Sequence, residues 1–314
     1  MAENTGSSDA GSADMGGPAT LVLGASGRIG RTLRRCWSRG LLAPLPDPVS
    51  LRWQARRRPA DSQKTQDWRI FDPLKDPKAL AEAARGCAAI LCLAGVTPAR
   101  AGQGGADMED NIRLGEAALR AGAATGARVL LTSSAAVYGN QSGLLREETP
   151  LQPASPYGLA KAEMEARCVA LAADLGVEVS MLRIGNIAGL DAILGGWRAG
   201  FQLDCLADGR TPRRSYIGPS TLAQVLAALL FAPDLPGVIN VAQPGAIEMG
   251  DLLRAAGLDF SPRPAPETVI GEVALDVSRL IALLPTQSAP AAANPAQMVA
   301  EWTALAAVND TLEG

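Results

Sequence analysis

The chain has 314 residues, 47% apolar and 19% charged, with a formal net charge of −3 and no histidine. That length and balance fit a soluble globular protein with a sizeable core. The missing histidine excludes histidine bases and histidine metal ligands, and the slightly acidic charge argues against nucleic acid or a membrane surface as partner.

Residues 1–18 are rich in Gly, Ser, Ala and Asp, with no basic start and no apolar centre. They read as a disordered tail, not as a secretory signal. Residues 20–23 form a short apolar strand that ends at a glycine loop, and 28–38 read as a helix. Pro44, Pro46 and Pro48 then interrupt the chain. A second strand is predicted at 49–55, a short third at 69–71 and a helix at 77–85. Residues 88–94 are almost continuously apolar, the pattern of a strand buried on both faces. A helix at 111–122, a strand at 128–132, a long helix at 156–175 and a strand at 177–183 follow. On that long helix Met164, Cys168, Leu171, Ala172 and Leu175 are expected to face the core. The stretch 186–214 is irregular, 221–231 is helical and 237–242 adds a strand. Short helices and proline-rich stretches at 261–266 and 285–295 complete the chain, and no internal repeat is visible.

Strands alternating with helices at this rhythm predict an α/β protein: a doubly wound parallel sheet, the Rossmann fold, with a smaller C-terminal substrate-binding lobe. Residues 19–185 plus 217–242 are assigned to the dinucleotide-binding domain, and 186–216 plus 243–314 to the lobe. The five cysteines, Cys36, Cys87, Cys92, Cys168 and Cys205, include no C-x-x-C pair. They read as buried small hydrophobes in a reducing cytoplasm, and no metal site is expected.

The motif G-A-S-G-R-I-G at 24–30 follows a strand and opens a helix. Gly24, Gly27 and Gly30 would allow a tight turn and close approach of backbone to a pyrophosphate, with the helix N-terminus offering free N–H groups. The spacing is G-x-x-G-x-x-G, not the commoner G-x-G-x-x-G. An NAD site usually places an acid at the end of the second strand to bind the ribose. Here that strand runs into Ala55, Arg56, Arg57 and Arg58. Arg56 or Arg57, with Arg28 in support, would hold a 2′-phosphate, which favours NADP over NAD. The patch of Arg52 and Arg56 to Arg58 is too small to suggest a nucleic-acid binder.

Ser155 suits an N-cap and Pro156 a first helical turn. Tyr157 and Lys161 then lie one turn apart on one helix face. A free phenol has a pKa of about 10, too high for a base at neutral pH. The Lys161 ammonium would lower it and hold the nicotinamide ribose, while Ser134, at the end of a parallel strand, would orient the reacting oxygen.

These residues together resemble the extended short-chain dehydrogenases/reductases, specifically the NAD-dependent epimerase/dehydratase family, over roughly residues 20–284. The glycine motif, including Ser26, Arg28 and Ile29, is similar to the family's. Asp72 resembles its adenine-contacting acid, and Leu93, Ala94 and Gly95 its cofactor-contacting turn. Asn111 resembles the helix asparagine that supports the site, and Ser134, Tyr157 and Lys161 its catalytic trio. Asn186 and Arg214 resemble substrate contacts, Arg214 to a nucleotide-sugar phosphate. The resemblance implies NAD or NADP as cofactor, a small-molecule substrate such as a nucleotide-sugar, and a homodimer formed through two helices. Departures are also present. Ala135 and Ala136 stand where 4,6-dehydratases carry an acid, and 186–214 is short for a nucleotide-sugar pocket. The expected activity is therefore an NAD(P)-dependent epimerase or oxidoreductase and not a 4,6-dehydratase. The alternatives are an NADP-dependent reductase of a smaller carbonyl compound and a non-catalytic dinucleotide-binding module.

Overall fold

The computed structural model describes residues 19–42, 50–62, 66–102 and 106–306. The tail expected at 1–18 and the break at Pro44, Pro46 and Pro48 lie outside them. In chain order come β1 (Ala19–Leu23), α1 (Arg28–Ser38), β2 (Ser50–Ala55), β3 (Asp67–Ile70), α2 (Pro77–Ala84), β4 (Cys87–Cys92), α3 (Asp110–Thr125) and β5 (Arg128–Ser134). A 3-10 turn, Ala135–Tyr138, leads to β6 (Gly143–Leu145), α4 (Pro156–Leu175), β7 (Val179–Ile184), β8 (Asn186–Ile187), β9 (Gln202–Cys205) and β10 (Arg213–Ile217). The remainder is α5 (Pro219–Phe231), β11 (Val238–Val241), β12 (Ala246–Glu248), α6 (Met249–Ala255), β13 (Ser261–Pro264), β14 (Glu272–Leu275), α7 (Ser278–Leu283) and α8 (Pro295–Ala306).

Seven strands form one sheet in the order β11-β7-β5-β4-β1-β2-β3, with every neighbouring pair parallel. Every residue of β1 is buried, as a strand covered on both faces must be. Leu33 and Cys36 of α1 pack with the apolar face of α5 on one side of the sheet, and α2, α3 and α4 cover the other. Chain direction across the sheet reverses between β1 and β4. That switch point opens a crevice at the strands' C-terminal ends, where such sheets bind ligands. The Rossmann architecture is therefore present.

A second sheet runs β12-β10-β14-β6, with β8 on β10, and β13 pairs with β9. Part of the stretch expected to be irregular is thus strand. Three pieces also cross the expected domain division. β6 pairs with β14 through Gly143 and Val273, so it joins the small sheet. Leu280 of α7 and Leu305 of α8 lie in the same apolar cluster as α5, so those helices cover the large sheet. Among the described residues no helix is long and apolar enough to cross a membrane.

α4 begins as its sequence expects: Ser155 Oγ accepts the Gly158 N–H at 3.1 Å, Pro156 occupies the first turn, and Gly176 closes the helix with φ of 65°. Met164, Cys168 and Ala172 are buried, but Leu175, in the last turn, is 38% exposed. Gly158 is a contact, not a weakness: a Cβ there would stand 2.5 Å from the Ala136 carbonyl oxygen. Its absence lets α4 approach the turn that follows β5.

Behind that approach lies a buried polar network. Arg183 of β7 meets Glu165 of α4 at 2.7 Å, each side chain 6% exposed. Ser133 Oγ donates to Glu165, Arg183 Nη1 donates to the Tyr138 hydroxyl at 2.9 Å, and Tyr138 donates to Asn240 at 2.7 Å. Removing one partner of such a pair leaves an unpaired charge in the core. Glu165→Ala is expected to lower the unfolding free energy by about 3 kcal/mol in urea titration, and Glu165→Leu with Arg183→Met to recover most of it.

Candidate active site

Gly24 turns the chain after β1 with φ of +76°, and a Cβ there would lie 2.6 Å from the Ala94 amide nitrogen. Only glycine takes both the left-handed backbone and this approach. Gly30 permits close packing of α1 on the loop, since its Cβ would meet the Gly24 carbonyl at 2.6 Å. The loop is also held by a residue that the sequence did not single out. Gln54, 2% exposed, accepts the Gly24 N–H at 2.9 Å and donates to the Phe71 carbonyl at 2.6 Å. An amide beside Trp53 near the end of the predicted second strand was the available signal. Gly27 caps α1 with no side-chain bond, and the first turn holds no acid. The N–H groups and positive dipole end are open to an anion.

A cleft of about 760 Å³ runs from this helix end across the sheet edge. Gly24, Ser26 and Gly27 line one wall, Ala55 and Arg56 the end of β2, Asp72 the turn after β3, and Leu93, Ala94 and Gly95 the turn after β4. A glycine-walled cleft at a helix N-terminus fits an extended diphosphate with a heterocycle at its end. Seven expected cofactor residues, Arg28, Ile29, Gly30, Arg57, Asn111, Tyr157 and Lys161, are not among the described lining residues. Ile29 packs against the apolar cluster beneath α1, Gly30 acts through packing, and Arg57 is exposed. Asn111, 1% exposed, brackets the next residue of the β4 turn, accepting the Val96 N–H at 3.2 Å and donating to its carbonyl at 3.1 Å. It shapes the cleft from behind.

Beyond β2, Arg34 fixes the return of the chain. It is 2% exposed, donates to the Ala25 carbonyl at 3.1 Å, grips both Asp61 oxygens at 3.1 Å and lies 5.0 Å from the Trp68 ring centroid. Asp61 is therefore taken up by Arg34. Arg52 is likewise a structural tie, donating to the Ala83 carbonyl at 2.9 Å and to that of Arg85 at 2.5 Å.

Ser134 ends β5 opposite Ile184 and caps the following turn, its Oγ accepting the Ala136 N–H at 3.2 Å. Tyr157 meets it from the first turn of α4. Burial pushes the Tyr157 phenol up from its ordinary pKa, while the Ser134 hydroxyl and the charge of Arg28 pull it down. Lys161, 4% exposed, donates to the Thr132 carbonyl at 2.9 Å and would stand 3.5 Å from a Cβ on Gly95. Burial lowers its pKa to about 8, against the pull of Cys92, Glu165 and Cys168. The Lys161 ammonium, expected to act on the phenol, donates to the Thr132 carbonyl of β5, and the charge of Arg28 is among the groups acting on the Tyr157 phenol. Arg28 itself was expected beside a 2′-phosphate. It instead crosses to the far wall, where Nη1 donates to the Leu190 carbonyl at 2.7 Å.

Asn186 pairs in register with Tyr216, and its side chain bonds the Tyr216 hydroxyl. That hydroxyl donates to Asp191 at 2.8 Å, and burial with the Asp191 charge pushes the Tyr216 phenol well up. Arg214 is half-buried and donates through Nη1 to the Arg213 carbonyl at 2.7 Å and to that of Ile270 at 3.0 Å. Asn186 and Arg214 therefore lie two positions apart along β10 in the same β8–β10 layer, both tied to protein groups. Tyr216 and Asp191 were not anticipated, because their partnership joins segments 25 residues apart.

A glycine-looped Rossmann sheet facing a Ser–Tyr–Lys set has the build of a short-chain dehydrogenase/reductase. The chain belongs to the NAD dependent epimerase/dehydratase family, whose sequence model matches residues 20–194, more than half of its length. It is similar in fold to a UDP-glucose-4-epimerase from Stenotrophomonas maltophila, solved with NAD and formylated UDP-arabinopyranose (19% identity, TM-score 0.73, 94% of this chain and 100% of that one). A UDP-glucuronic acid 4-epimerase from Bacillus cereus, with NAD and a UDP-sugar analogue, shows 16% identity and a TM-score of 0.71 over 92% of this chain and 99% of that one. A dTDP-glucose 4,6-dehydratase from Streptomyces venezuelae, with NAD and TYD, shows 20% identity and a TM-score of 0.70 over 91% and 97%. No curated protein sequence matches.

The buried ammonium has a measurable consequence. Between pH 8 and 10.5 the unfolded chain keeps the Lys161 proton and the folded chain does not, so stability rises with pH through that window. The penalty is fully present below pH 8, on the order of 3 kcal/mol for a pKa lowered from 10.5 to about 8. Lys161→Met is expected to stabilise the cofactor-free protein at pH 7, and this gain should shrink by pH 10 in paired thermal melts.

Proposed function

We propose that this chain is a nicotinamide-dependent epimerase or oxidoreductase that moves a hydride at a carbinol or carbonyl carbon of a nucleotide-sugar. One observation carries the reading: Tyr157 meets Ser134 at the end of β5, while Lys161 reaches the turn lining the glycine-loop cleft. The N-terminus of α1 with Gly24, Ser26 and Gly27 holds the diphosphate, Asp72 takes the adenine end, and Leu93 to Gly95 lie along the ribose. Lys161 holds the nicotinamide ribose hydroxyls. The cofactor, when bound, supplies the hydride acceptor or donor, and its oxidised ring brings the positive charge that the raised phenol needs. Tyr157 then takes the proton of the substrate hydroxyl, and Ser134 fixes the oxygen in line. Asn186 and Arg214 serve the substrate from the β8–β10 layer.

Two finer points rest on single residues. Arg56 lines the cleft where an NAD site has its acid, and Asp61 is held by Arg34, which supports NADP. The similar structures hold NAD, so the opposite preference is the alternative to test. Ala135 and Ala136 offer no carboxylate beside Ser134, which supports epimerisation or simple oxidoreduction over 4,6-dehydration. The short segment at 186–214 favours a second reading, an NADP-dependent reductase of a smaller carbonyl compound.

The test is a screen of purified protein with UDP- and dTDP-sugars and with aldehydes and ketones, following reduced-cofactor absorbance. Isomerised sugar without net cofactor turnover identifies the epimerase. Tyr157→Phe should lower kcat about 100-fold or more while cofactor still binds. If that variant leaves every activity unchanged, the chain is a binding module. Arg56→Ala should weaken NADP about tenfold and leave NAD nearly unaffected. Wild-type protein that binds NAD tenfold tighter than NADP would reject the NADP assignment.

A further inference from the structure

Asn240 stands on β11 between Ile239 and Val241, all three 0% exposed. Every hydrogen-bonding atom of its side chain is used. Oδ1 accepts the Tyr138 hydroxyl at 2.7 Å, and Nδ2 donates to the carbonyls of Leu145 at 3.0 Å and Asp276 at 3.1 Å. Its backbone N–H donates to Glu147 at 3.0 Å. Turning the amide over would set its oxygen against two carbonyls, so one orientation alone fits. An aspartate would lose both donors and a leucine every bond.

The two sides of this amide belong to different sheets. Leu145 ends β6 and Asp276 follows β14, the Asp276 N–H closing on the Leu145 carbonyl at 2.8 Å. β14 in turn pairs with β10, where Val273 meets Arg214, and Ser215 Oγ accepts the Leu275 N–H at 2.8 Å. On the other side Tyr138 closes the 3-10 turn that Ser134 opens, Ser134 Oγ accepting the Ala136 N–H at 3.2 Å. The exit of that turn is equally tight: a Cβ on Gly139, φ +66°, would overlap the Gln152 carbonyl. Arg183 Nη1 steadies the Tyr138 hydroxyl at 2.9 Å. Neither Tyr138 nor Asn240 is among the residues lining the cleft.

We propose that Asn240 is a positioning residue for Ser134: acting through the Tyr138 hydroxyl, its amide registers the small sheet that carries Arg214 against the turn that fixes the serine. This rests on Ser134 orienting the reacting oxygen, as proposed above. Oriented groups on two separate sheets need such a tie, because a small displacement between them costs rate.

Tyr138→Phe removes the hydroxyl and keeps the ring, and Leu119→Ala, a cavity on α3, supplies a comparator destabilised away from the network. Hydrogen exchange of the cofactor-free protein should quicken about tenfold in Tyr138→Phe both at 135–139 and across the amide at 143–145 and 273–276, a pattern absent from Leu119→Ala. The Tyr157 step of an alkaline tyrosinate titration, identified by its loss in Tyr157→Phe, should move to higher pH in Tyr138→Phe, since the Ser134 hydroxyl holds it down. Adding Asn240→Leu should move that step no further, because both changes cut one path. Once a substrate is known, Tyr138→Phe should lower kcat about tenfold and leave cofactor affinity within about twofold. An unmoved step, unchanged exchange at 273–276, or the same changes in Leu119→Ala overturns the proposal. If Asn240→Leu does not fold, Tyr138→Phe decides. Exchange and titration need no turnover, so a protein inactive on every substrate would fail the enzymatic reading and still answer this one.

Discussion

The contact between Gly24 and the Ala94 backbone sets the geometry of this molecule's site. Two turns, one after β1 and one after β4, meet at the point where the sheet reverses direction. Any Cβ at position 24 would separate them and close the groove between the helix end and the β4 turn. Gln54 and Asn111 hold the two turns from opposite sides, each by amide bonds to backbone. Buried amides that satisfy loop backbone in this way fix a loop without adding charge to it.

α4 does comparable work for the chemical groups. Tyr157, Lys161 and Glu165 follow one another at four-residue intervals on the sheet-facing side. Each answers to a different partner: Tyr157 to Ser134, Lys161 to the Thr132 carbonyl, Glu165 to Arg183. The buried ion pair anchors the helix to β7, and Gly158 lets its first turn close on Ala136. The phenol is thereby delivered to the end of β5 by a rigid element and not by a loop.

The small lobe is less separate than its place in the chain suggests. β6 joins its sheet from the middle of the large domain's sequence, and α8 packs back across α5. Glu301 of α8 accepts the Thr221 N–H at 2.9 Å, stabilising the N-terminus of α5, while Trp302 covers Gly189. The segment that receives Arg28 is therefore braced by the end of the chain as well.

Local pattern alone identified the alternating strands and helices, the glycine turn, the Ser155 cap and the shared face of Tyr157 and Lys161. Each of these depends on residues within a turn or two of one another, where periodicity and backbone preference act. The partners of the longer side chains were not legible. Arg28 finds a carbonyl 162 residues away, Arg34 an acid 27 residues on and Gln54 a carbonyl 17 residues on. Spacing placed Lys161 on its helix face, but its bond to the Thr132 carbonyl was not legible, because that neighbour lies on β5. Only packing brings such segments together, and the orientation of a buried charge follows from whichever backbone or side-chain group packing leaves within its reach.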